Sequence, residues 1–76
     1  MIRVDPRAVC YRRESLGLSQ TELARRVGIS PSYASMIERG HRTTLSPRVA
    51  GRLANALGID IDVLRQPGPR LTRPRT

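Results

Sequence analysis

Punctuation constrains this chain more than composition does. Three times a short oxygen-bearing residue stands directly before proline: Asp5-Pro6, Ser30-Pro31 and Ser46-Pro47. Each pair is a helix start. The side-chain oxygen accepts from a backbone N–H of the first turn, and proline occupies a position whose own N–H would have no helical partner. A fourth start lies at Ser19-Gln20-Thr21-Glu22, a capping box with Leu18 and Leu23 bracketing it as a hydrophobic staple. Glycines at 17, 28, 40 and 58 stand where left-handed helix stops belong. A chain divided this way can form only short helices.

The pattern predicts helices from Pro6 to Leu16, from Gln20 to Val27, from Pro31 to Arg39 and from Pro47 to Leu57. Ile59-Asp60-Ile61-Asp62-Val63-Leu64 alternates as a strand would. Asp60 also reads as a cap, and no partner strand is evident, so a short fifth helix is expected. Residues 1–5 read as a polar N-terminal arm, 6–65 as the folded domain and 41–45 as a loop. Residues 66–76 read as a basic, Pro-rich tail without order. The inner faces carry Val9 and Leu16 on the first helix, with Arg13 between them. They continue with Leu23, Ala24 and Val27, then Ala34 and Ile37, then Val49, Ala50, Leu53, Ala54 and Leu57. With no Phe or Trp the core must be aliphatic, which suits a small helical bundle better than a sandwich or barrel. The expected fold class is all-α, a compact five-helix domain. A domain of this length buries roughly 60% of its unfolded surface and has no room for a deep cleft walled by several elements.

Charge bears on partners. All 14 basic residues are arginine, against 6 acidic ones, for a net charge of +8. Such a field favours nucleic acid first, then an anionic membrane surface, then an acidic protein. Cys10 is the only cysteine, so the chain holds no internal disulfide and reads as intracellular. The start Met1-Ile2-Arg3-Val4-Asp5 has no signal-peptide character, and no apolar run is long enough to span a membrane. No chemistry-bearing cluster emerges. His41 has no Cys or His at ligand spacing, and Asp60-x-Asp62 is too short for a calcium loop. Cys10 has no neighbouring base and reads as a small packing residue. No metal or cofactor is expected, and an enzyme is the least supported class.

The second and third helices are joined only by Gly28-Ile29-Ser30, a link short enough to force a steep crossing, with the small Ala24 at the contact. Stepping about 100° per residue along the third helix puts Ile37 and Glu38 on the side of Ala34. Ser32, Ser35, Met36 and Arg39 fall opposite, with Tyr33 on the flank. That outer face is small and polar enough to enter a groove. Serine hydroxyls donate to or accept from base edges, Met36 can meet a thymine methyl, and Arg39 can reach guanine or phosphate. Arg42 and Thr43 in the following loop can grip flanking phosphates. Glu38 is anomalous, because a carboxylate facing the core requires a partner.

These segments together resemble one family. Leu16-Gly17-Leu18-Ser19-Gln20-Thr21-Glu22-Leu23-Ala24-Arg25-Arg26-Val27-Gly28-Ile29-Ser30 is followed by Ile37-Glu38-Arg39-Gly40 and by Leu53-Ala54-Asn55-Ala56-Leu57-Gly58-Ile59. The chain, over about residues 7–65, is similar to the phage repressor and Cro class of helix-turn-helix proteins, the xenobiotic-response-element type. The resemblance implies a lambda-repressor-like domain whose third helix enters the major groove of double-stranded DNA. It implies a sequence-specific transcription regulator, a cytoplasmic repressor of bacterial or phage kind, acting as a dimer. It implies that Gln20 contacts the DNA backbone and braces the recognition helix, with Thr21 and Ser30 beside it. It also implies that Arg13 and Glu38 form a structural ion pair.

The chain departs from the family pattern at Pro31, where relatives place a base-reading side chain, and at Ala34, which is smaller than usual. The outer face has no Asn or Gln for bidentate adenine contacts, so readout through DNA shape gains weight. The tail could enter a minor groove or be inert. Ile59, Ile61, Val63 and Leu64 could form a homodimer surface or could close the core. The competing reading is an antitoxin or other module using the same fold to bind a protein partner. The basic rather than apolar tail speaks against it, and the lack of exposed aromatics speaks against single-stranded RNA.

Overall fold

The computed structural model describes residues 1–65. Five helices follow one another: α1 (Pro6–Ser15), α2 (Gln20–Val27), α3 (Pro31–Glu38), α4 (Pro47–Leu57) and α5 (Ile61–Leu64). Their starts are set by local side-chain chemistry. Asp5 accepts from the Arg7 N–H at 3.3 Å, Ser30 from Tyr33 at 3.1 Å and Ser46 from Val49 at 3.2 Å. The capping box at Ser19 closes in both directions, at 3.0 Å from Glu22 N–H to the Ser19 hydroxyl and 2.8 Å from Ser19 N–H to the Glu22 carboxylate. After α3, Gly40 turns the chain with φ of 83°. The His41 N–H then reaches back to the Met36 carbonyl at 2.9 Å and the Gly40 N–H to Ile37 at 3.2 Å, which satisfies carbonyls at the helix end. The α3 boundary falls one residue before the expected one, with Arg39 as the cap.

The core is aliphatic throughout. Val9, Leu23, Val27, Ile37, Leu45, Leu53, Leu57 and Leu64 are each at most 1% exposed. Packing α2 between α3 and α4, with α1 across them and α5 against α4, buries this cluster.

Two expectations are corrected, and an alternative left open at Leu64 is decided. Residues 1–5 are not a free polar arm. Ile2–Arg3 forms a strand, β1, antiparallel to β2 (Thr44–Leu45), in the segment expected to be a loop. Val4 is 2% exposed, and its N–H donates to the Thr43 carbonyl at 2.7 Å. Burial of Ile2, Val4 and Leu45 on one side of the ribbon drives the pairing, which the local pattern of each segment hides. Leu16 is not an inner-face residue but is 43% exposed. It lies seven residues beyond Val9, about 10 Å along the helix axis, and is not among the residues packed on the core. Leu64 is 0% exposed and closes the core. It cannot contribute to a homodimer surface. Ile59 and Ile61 are half-buried against the same cluster, which leaves Val63 as the exposed member of that group at 45%. The expected tail at 66–76 lies outside the described residues.

Candidate nucleic-acid interface

The geometry of α2 and α3 follows from one residue. Gly28 ends α2 with φ of 89°, a left-handed conformation that side chains disfavour. The N–H of Ile29 closes onto the Ala24 carbonyl at 3.0 Å, and the chain enters α3 at Ser30. Ala24, Ala34 and Ile37 are 1%, 2% and 1% exposed, so the two helices meet through small and branched side chains. That contact turns Ser32 and Met36 outward to solvent, with Arg39 exposed just past the helix and Ser35 half-buried beside them. Pro31 is also exposed. It offers no hydrogen-bond donor to a base, but presets the first turn of the helix.

A polar clamp holds α3 from behind. Arg13 Nε donates to Glu38 Oε2 at 2.6 Å and Arg13 Nη2 to Glu38 Oε1 at 3.1 Å, a bidentate pair. Its third arm, Nη1, donates to the Leu18 carbonyl at 2.7 Å. The Glu38 side chain is 5% exposed and the Arg13 side chain 13%. Hydrogen bonding to Glu38 raises the Arg13 pKa above its already high ordinary value, against the opposing effect of burial. Gln20 joins the same carboxylate, donating from Nε2 to Oε1 at 3.1 Å. One carboxylate near the end of α3 is thereby tied to α1 and to the first residue of α2. Gln20 braces α3 directly, and its amide still has a second N–H and an oxygen to offer.

The remaining expected residues fall around this centre. Thr21 is exposed on the first turn of α2. Ser30 uses its hydroxyl as the cap of α3. Tyr33 is half-buried against the core, and the Arg42 guanidinium carbon stands 5.6 Å from its ring centroid, within the range of a cation–π contact. Thr43 is half-buried and its carbonyl takes the Val4 N–H. The loop donors are therefore positioned from two sides, by the Tyr33 ring and by the N-terminal strand. Both contacts are tertiary and left no mark in the local sequence.

Cys10 adjoins the clamp, with Arg13 Nη2 at 3.9 Å from its sulfur. Burial, and then the negative charges of Glu38 and Glu14, push its thiol up from the ordinary value, which disfavours the reactive thiolate. Among the described residues no three metal-ligating side chains come together. No helix among them is long and apolar enough to cross a membrane.

Two short capped helices, a left-handed glycine between them and a small polar face on the second define a helix-turn-helix domain. A helix-turn-helix family model matches residues 11–64. The chain belongs to that family, in its repressor and Cro-like, xenobiotic-response-element branch. Solved structures agree. The Bacillus subtilis biofilm regulator SinR, in complex with DNA, is 28% identical and superimposes with a TM-score of 0.76, over 80% of this chain and 97% of that one. The restriction-modification controller protein C.AhdI of Aeromonas hydrophila is 36% identical with a TM-score of 0.72, over 78% and 88%. The P22 c2 repressor, in complex with a synthetic operator, is 28% identical with a TM-score of 0.75, over 80% and 91%.

Proposed function

We propose that this chain is a sequence-specific, double-stranded-DNA-binding transcription regulator of the repressor kind, which sets α3 into the major groove. The observation that carries this reading is the opposition of two faces on one helix. Ser32, Ser35, Met36 and Arg39 lie on or beside the free side of α3, while Glu38 is locked to Arg13 and Gln20 on the other. Ordering costs on binding fall when the reading helix is already held in place, and the clamp fixes its position against α1 and α2. Gln20 and Thr21 at the start of α2, with Arg42 and Thr43 after α3, flank this face as phosphate contacts and fix the register of the helix. Ser30 contributes as the cap of α3.

A symmetric site would be read by two copies whose α3 helices lie one turn of duplex apart, about 34 Å. The surface for that pairing would use Val63 and the exposed side of Ile61. The place of action is the cytoplasm, on the chromosome.

Selection from random duplex DNA, followed by affinity measurement across a salt series, tests the proposal. The expected product is a two-fold symmetric sequence bound at least about 10³-fold tighter than its scramble. No enriched sequence, with affinity set by salt alone, would overturn it.

A further inference from the structure

Arg25, Arg26 and Arg52 stand around an open cleft of about 550 Å³ between α2 and α4, whose wall also includes Gly28, Asn55 and Ala56. None of the three arginines is held in a hydrogen bond or ion pair among the described residues. Glu22 acts on Arg25 and Arg26 from the preceding turn, but its carboxylate is already engaged by the Ser19 N–H at 2.8 Å. Arg52 Nη1 lies 3.0 Å from the point that a Cβ on Gly28 would occupy, so the bare glycine lets the guanidinium come up to the end of α2. The C-terminus of a helix carries roughly half a negative charge. That offsets only a small part of three clustered cations, and a strong positive field remains at the cleft.

The charge of the chain narrows what can occupy it. A second copy also carries +8, and residues 66–76 contain Arg70, Arg73 and Arg75 as their only charged side chains. Both would be repelled. Duplex DNA is the alternative anion, but the cleft lies between α2 and α4 and no residue of α3 lines it. α4 meets α2 on this side, whereas α3 packs on α2 and α1. A concave site of this size accepts inserted side chains rather than a continuous double helix, and guanidinium forks match carboxylates two bonds at a time. We propose that the cleft between α2 and α4 docks an acidic segment of a partner protein through Arg25, Arg26 and Arg52, leaving α3 free for DNA.

The test is a titration of the isotope-labelled chain, followed by backbone amide NMR. The probes are a synthetic peptide alternating Glu with Leu, its Gln-for-Glu counterpart, and a random-sequence duplex. The Glu peptide is expected to shift the amides of Gly28, Asn55 and Ala56, with the duplex absent or present, and the Gln peptide to shift none of them. Arg26→Gln with Arg52→Gln is expected to weaken the Glu peptide about tenfold or more, and Arg25→Gln alone to weaken it less. The salt slope for the duplex should stay as in the parent chain. All three side chains are exposed, so the variants should keep the parent's amide dispersion. Peptide-induced shifts at Ser32, Ser35 and Arg42 that the duplex abolishes would overturn the proposal. So would a salt slope flattened by about one unit or more in the double variant, which would make the cleft a DNA contact.

Discussion

Replacing Glu38 with Gln should destabilise this domain out of proportion to the size of the change. The side chain keeps its shape but loses its charge: one of the two oxygens that take the bonds from Arg13 at 2.6 and 3.1 Å and from Gln20 at 3.1 Å becomes an NH2 donor, and the bonds left to the other oxygen lose their charge assistance. Arg13, 13% exposed, keeps the Leu18 carbonyl, the amide oxygen at 38 and the more distant, exposed Glu14 carboxylate at 3.7 Å, and none of them replaces the buried carboxylate. Its guanidinium cannot escape by deprotonation. Breaking a buried pair from one side costs about 3–5 kcal/mol, and the partial exposure of Arg13 puts the expectation near the lower bound, about 3 kcal/mol. Small domains have total stabilities that start at about 5 kcal/mol, so most of the margin would go. With a urea m-value near 1 kcal/mol/M, the midpoint of a circular-dichroism titration should fall by about 3 M at unchanged m. Arg13→Met combined with Glu38→Leu should recover most of the loss, because an apolar pair needs no desolvated charge. A loss under about 1 kcal/mol, the level of an exposed pair, would refute the reasoning. So would a double variant no more stable than the single one.

The other expectations concern binding and pH. Ser32→Ala with Ser35→Ala should weaken binding to the selected sequence by about 1–3 kcal/mol and leave random duplex nearly unaffected; equal losses on both would remove that face from base reading. Arg42→Ala should weaken both kinds of duplex and flatten the salt slope by about one unit. An unchanged slope would mean that its stacking on Tyr33 at 5.6 Å serves the fold instead. The backbone and hydroxyl of Ser19 hold the Glu22 carboxyl below the usual carboxylate range. Its stabilising effect is therefore complete above the unfolded value and is lost as pH falls through the lower folded one. Thermal melts across that acid range should show a shallower pH dependence in Glu22→Gln than in the parent chain, and identical profiles would rule out the capping box as a source of the dependence.

What the sequence determined by itself was whatever closes within a few residues. Each cap at Asp5, Ser19, Ser30 and Ser46 bonds an N–H two or three positions away. The glycine stops at 28, 40 and 58 likewise need only their own helix ends. Helix existence, order and approximate length were legible for that reason, as was the inward placement of Ala34 and Ile37 against the outward Ser32 and Met36. The Arg13–Glu38 pair was legible only through resemblance, since 25 residues separate its members.

Tertiary structure decided the rest. The pairing of Ile2 with Leu45 joins segments more than forty positions apart, each too short to show a strand period, and it appears only once the core offers Val4 and Leu45 a place to bury. Leu16 and Leu64 carry the same side chain, yet one is 43% exposed and the other 0%. Helical phase cannot tell them apart, because burial depends on which neighbours lie over a position. The cleft of Arg25, Arg26 and Arg52 arises in the same way. Two of its arginines are adjacent on α2, but the third reaches them from α4 across a glycine, and only the packing of those helices brings the three positive charges to one place.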